Sequence, residues 1–256
     1  MFNVSALLGV PTHQVPFQSV SYVVLDLETR NADETAIQAA IAAWKAPSNW
    51  KESTVENKRK EAAERIRERA ALLDASPIIC ATIKTPRSAI ILNGMDHTSP
   101  HIEGWQVIPC GDEKQLLLAL RRWLNTSTIN ETIVVGHNVS SYDLPKVRNA
   151  YLRNLLALPG ILKPAIGSTE IAATVVDTMR LYRAFSMEHH DSLFISLDTV
   201  ADGLGIPKPK GVINGADVPR LYRAGQFETI MVYSAIDCEV TARAFLLMTN
   251  LAENLL

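Results

Sequence analysis

Ser19-Val20-Ser21-Tyr22-Val23-Val24-Leu25-Asp26-Leu27-Glu28 is a nearly unbroken apolar and β-branched run that ends in two carboxylates. A run of this kind, without polar alternation, predicts a strand buried on both faces at the centre of a sheet. Side chains two apart on a strand share a face, so Asp26 and Glu28 stand side by side. Close carboxylates oppose each other's ionisation, burial opposes both, and a hard divalent cation removes the conflict. The D-x-E pattern is short, and Asp237 with Glu239 repeats it. A strand-end acid that caps a loop explains Asp26 alone just as well, so its surroundings must decide.

Downstream, residues 31–77 follow a different pattern, punctuated by Trp44, Pro47 and Trp50. Ala62, Ile66, Ala70 and Leu73 then recur at helical spacing, with Glu56/Lys60 and Glu61/Arg65 as i,i+4 pairs, which predicts an amphipathic helix with a solvated face. Residues 78–84 and 88–92 are short apolar runs around Thr85-Pro86-Arg87, a hairpin pattern that makes an antiparallel meander with the first strand. Asp112 caps a helix striped by Leu116, Leu117, Leu120 and Leu124, and a short strand at 132–135 leads into Gly136-His137-Asn138. A helix over 143–158, a strand at 174–177 and helices over 196–204, 217–224 and 227–249 complete the chain. The order predicts an α/β fold: a mixed five-stranded sheet, three antiparallel strands and two parallel ones, with helices on both faces. Residues 1–256 read as one domain, with 31–77 as a partly helical insertion.

Composition supports this reading. Of 256 residues, 47% are hydrophobic and 20% charged, which excludes disordered and fibrous chains. Cys80, Cys110 and Cys238 form no C-x-x-C pair, which argues against a disulfide framework or zinc ribbon. The N-terminal stretch lacks a charged n-region and h-region, and no apolar run approaches the roughly 18 residues of a membrane span. The expectation is a soluble, cytoplasmic protein without a membrane partner. A net charge of −2 argues against nucleic-acid binding by global charge and leaves room for a local basic surface.

Two further segments bring acids into play. Asp143 closes Gly136-His137-Asn138-Val139-Ser140-Ser141-Tyr142-Asp143, directly after a strand, where open α/β sheets carry functional groups. It equally suits a helix N-cap. Tyr233 and Asp237 lie at i,i+4 on the last helix, on one face. Tyr22 and Asp26 repeat the Y-x-x-x-D spacing on a strand, where about 13 Å would separate them. The alternatives are a core aromatic for Tyr233 and a solvated acid for Asp237.

Taken in order, LDLET (25–29), GHNVSSYD (136–143) and YSAID (233–237) resemble the tyrosine-bearing subgroup of the DEDD superfamily of 3′-5′ exonucleases. The likeness covers about residues 20–248, and 204–241 is similar to stand-alone relatives of the proofreading domain of family B DNA polymerases. It implies a ribonuclease-H-like fold and hydrolysis of phosphodiester bonds at 3′ ends, most plausibly of single-stranded DNA, releasing nucleoside monophosphates. Two ions, Mg²⁺ or Mn²⁺, about 3.5–4 Å apart supply the chemistry of such sites. The resemblance assigns Asp26 to bridge both, Glu28 and Asp237 to the ion that activates water, and Asp143 to the second; Tyr233 orients the water. It also assigns Thr29, Asn138, Lys208 and Lys210 to substrate contacts, and implies a phage or bacterial chain and a replication or repair protein acting in trans. His137 and Asp177 read as structural. A 3′-5′ exoribonuclease of the same fold and a catalytically silent nucleic-acid-binding module are the competing readings.

Overall fold

The structure, a computed structural model, describes residues 2–3, 21–125, 132–164, 167, 171, 173–207 and 213–249. In chain order the strands are β1 (Phe2–Asn3), β2 (Ser21–Thr29), β3 (Ile78–Lys84), β4 (Ala89–Asn93), β5 (Ile102–Glu103), β6 (Gln106–Pro109), β7 (Thr132–Gly136) and β8 (Thr174–Asp177). The helices are α1 (Glu34–Ala43), α2 (Glu52–Glu68), α3 (Glu113–Asn125), α4 (Asp143–Arg153), α5 (Thr178–Phe185), α6 (Leu197–Gly203), α7 (Val218–Arg223) and α8 (Phe227–Met248). A mixed sheet runs β6-β4-β3-β2-β7-β8, with β1 and β5 paired in parallel outside it.

β2 is central, antiparallel to β3 and parallel to β7. Its alternate side chains enter separate layers. Val23, Leu25 and Leu27 pack with Leu116, Leu117 and Leu120 of α3 and with Val147 and Tyr151 of α4. Tyr22 and Val24 pack against Cys238, Ala242 and Phe245 of α8. Each such buried Leu or Val stabilises the fold by about 1.5–3 kcal/mol. Helices therefore cover both faces, and Asp26 and Glu28 continue the face that α8 covers.

The sheet has six strands rather than the five expected, because β6 adds parallel to β4. Four residues that bury only Val107 and end in Pro109 carry too little alternation to announce a strand; the exposed edge of β4 recruits them, and an edge tolerates proline. The helix expected over 143–158 stops at Arg153. Leu155 takes φ +53°, and the Leu156 N–H returns to the Tyr151 carbonyl at 2.9 Å, a C-terminal cap that has no glycine to signal it.

The 31–77 insertion is a helical hairpin. Ala32, Ile37 and Ala70 form a small core of their own, and no residue of α2 is buried. The hairpin is tied at its base. The Arg30 N–H donates to the Pro77 carbonyl and the Ala32 N–H to the Ala70 carbonyl, each at 3.1 Å. The Lys146 ammonium donates to the Ala71 and Leu73 carbonyls and to Ser76 Oγ. Among the described residues, no helix is long and apolar enough to cross a membrane.

Candidate active site

β7 stops pairing with β2 after Val24, so the last turn of β2 has an open edge where the chain leaves Gly136. Only glycine fits there: a Cβ on Gly136 would stand 2.5 Å from Val139 Cβ and 2.9 Å from the Leu25 carbonyl. The loop that follows turns at Asn138, whose φ of +58° is a left-handed conformation asparagine tolerates. Buried Asp177 holds the loop, accepting the Asn138 N–H at 3.0 Å and the Ser140 N–H at 3.2 Å while capping α5. The loop delivers Asp143 back to β2.

Asp143 is not the helix cap that its sequence position allowed. Tyr142 occupies that position, and the Asp143 carboxylate is buried near the backbone of Leu27 and the charge of Asp26. Opposite it, α8 presents Tyr233, Ser234 and Asp237, all buried. Ser234 Oγ donates to Asp26 Oδ2 at 2.7 Å and lies 3.1 Å from Thr82 Oγ1, the strand partner of Asp26. The Tyr233 hydroxyl lies near Asp237 and faces the turn at Gly215.

Electrostatics reports the same convergence. Burial, followed by the charges of Asp26, Asp237 and Asp143, raises the Glu28 carboxyl well above the usual carboxylate range. Burial and Asp26 raise Asp143, against the pull of backbone N–H donors. Burial, Asp237 and Glu28 push the Tyr233 phenol upward, so it keeps its proton at neutral pH. The four acids and the tyrosine thus occupy one neighbourhood although they come from three separated segments. Their donors are all hard oxygens of the type Mg²⁺ and Mn²⁺ prefer. Among the described residues, however, no three His, Cys, Asp or Glu side chains stand ready-made as a metal cage.

The remaining expected residues fare differently. Thr29 is buried, and its hydroxyl donates to the Ala71 carbonyl and lies 2.8 Å from the Tyr142 hydroxyl, so only its backbone is available to a substrate. Asn138 sits on the loop beside Asp143, in the role of a turn residue. Lys208 and Lys210 lie outside the described residues. His137 bridges Thr178 Oγ1 and the Ile195 carbonyl, a structural position. Glu239, of the second D-x-E pair, engages Lys84 at 2.8 Å and Arg243 at 3.2 Å. Ser234 escaped the sequence reading; its signal was a small polar residue on a helix face otherwise destined for the core.

Neither a scan against models of protein families nor a search of curated proteins finds a match to this chain.

Proposed function

We propose that the protein is a metal-dependent 3′-5′ exonuclease with a ribonuclease-H-like fold, acting on single-stranded DNA. One observation carries the reading: Asp26, Glu28, Asp143 and Asp237 gather at the end of the central strand with Tyr233 beside them. Buried acids that raise one another's affinity for protons are expensive in a purely structural role. Asp26, Glu28, Asp237 and Asp143 would hold two Mg²⁺ or Mn²⁺ ions, which supply water activation and neutralise charge on the scissile phosphate and the leaving oxygen.

The chain's own groups do the positioning. Ser234 fixes one oxygen of Asp26. Tyr233 retains its proton, so it positions a water through its hydroxyl and does not act as a base. The backbone around Thr29 and Asn138 borders the site where a terminal nucleotide would lie.

The test is time-resolved digestion of 5′-labelled single-stranded DNA and RNA with Mg²⁺, Mn²⁺ or EDTA. A ladder shortening from the 3′ end, absent with EDTA and in Asp26→Asn, is the expected result. Tyr233→Phe lowers turnover about a hundredfold by loosening the water. Faster RNA digestion would move the substrate to RNA. No cleavage by folded protein would sink the enzyme reading and favour a silent binding module.

A further inference from the structure

The helical hairpin inserted after the Asp26/Glu28 strand carries, among its cations, a row of four aligned along one flank. At 3.6 residues per turn, Lys51, Lys58, Arg65 and Arg69 fall within about 40° of one another around α2 and its flanking residues. All four are exposed. The face that packs on α1 is set by the half-buried Val55, Ala62 and Ile66, and the stripe lies on the flank beside it. Lys58 pairs with Glu61 at 2.7 Å. Among the described residues, the side chains of Lys51, Arg65 and Arg69 engage no carboxylate. Glu56, Glu64 and Glu68 point elsewhere around the helix, so the chain's overall charge of −2 conceals a basic line about 27 Å long.

The ends of that line are informative. Arg69 ends α2 next to Ala70, whose carbonyl accepts the Ala32 N–H only four residues beyond Glu28. Thr29 itself bonds the Ala71 carbonyl. The inner end is therefore fastened beside the candidate site. At the outer end the exposed indole of Trp50 precedes Lys51. Cations in a line with an exposed aromatic at one end suit a nucleic-acid strand, whose phosphates bind the cations and whose bases stack on aromatics. The hairpin does not serve as a cover for the sheet, since α2 buries nothing.

We infer that the hairpin is a strand-guiding arm: the Lys51, Lys58, Arg65 and Arg69 stripe binds the phosphate backbone of the single strand upstream of the 3′ end held at the acids. The identity of the ligand rests on the nuclease reading; the stripe itself does not.

Two variants with equal charge change separate the possibilities. One replaces Arg65 and Arg69 with Gln; the other replaces Lys60 and Arg67, on the far side of α2, with Gln. Binding of a single strand of about 20 nucleotides is measured in EDTA as a function of salt. The Arg65/Arg69 variant should bind about tenfold more weakly, with the slope of log affinity against log salt reduced by about 1.4. The Lys60/Arg67 variant should bind as wild type. Hydrolysis of a trinucleotide in Mg²⁺, too short to reach the arm, should be equal in all three proteins. Equal losses in both variants, or none in either, overturn the arm even when the trinucleotide is hydrolysed. Stripe-dependent binding without any hydrolysis supports the arm and sinks the exonuclease. Wild-type protein that neither binds nor hydrolyses overturns both.

Discussion

Glu28 sits where two demands on a side chain conflict. A strand end buried under α8 favours an uncharged group, while the neighbouring acids suit a cluster of anions around a cation. Its carboxyl binds protons more tightly in the fold than the free value of about 4.3. Over the pH range between the two values the native state holds more protons than the unfolded chain, so stability falls as pH rises through it. Glu28→Gln should therefore raise the thermal midpoint of metal-free protein at pH 7 by a few degrees, with the gain vanishing below about pH 4. Calorimetry at both pH values checks this; an equal gain at each would place the effect in packing rather than charge. Asp26 and Glu28 were readable from the strand's period of two, and Asp237 from the helical i,i+4 spacing with Tyr233. Asp143 was readable as an acid in the right segment, but its burial beside Asp26 was not, because that residue lies more than a hundred residues away in the chain.

At the scale of elements, the hairpin and α8 show how little burial predicts purpose. α8 is buried along most of its length and carries Asp237 and Tyr233 of the candidate site; α2 is bare and carries charge. Lys146, with Thr29, joins the hairpin to the domain, and burial pulls the pKa of its ammonium down to about 8. Lys146→Met removes the ammonium donor from the Ala71 and Leu73 carbonyls and Ser76 Oγ, while Thr29 and Ser76 still donate to those carbonyls, which should cost about 1–2 kcal/mol. The lysine's depressed value gives the deficit a pH signature. Between about pH 8 and the free value of about 10.4 the unfolded chain binds the extra proton, so the wild type gains stability over the variant as pH rises. Denaturation of both proteins across that window measures the widening gap; a constant gap would mean that Lys146 is not titrating there. The spacing of Ala62, Ile66, Ala70 and Leu73 made the helix legible, whereas its detachment from the sheet depends on where the chain re-enters at Pro77.

For the molecule as a whole, the sheet brings three distant segments to one point by leaving β2 unpaired on one side beyond Val24. An assembly of mutually repelling acids should be stabilised by the cation it is proposed to hold. At a concentration 100 times the dissociation constant, binding contributes about 2.7 kcal/mol, or about 5–10 °C in midpoint for a chain of this size. Mg²⁺ or Mn²⁺ should produce that rise in wild type and not in Asp26→Asn, as read by a thermal scan with EDTA as reference. No rise at any concentration would remove the metal from the proposal.

Local chemistry was enough to indicate the α/β class and the central strand, because hydrophobic period and residue type are properties of short stretches; the five residues of the candidate site were singled out by the order of three motifs and their resemblance to a known family. The edge strand β6, the early end of α4, the pin from Ser234 to Asp26, the sequestered hydroxyl of Thr29 and the free-standing basic flank of α2 came only with the folded chain. Each depends on contacts between residues far apart in sequence, whose energies no local pattern encodes.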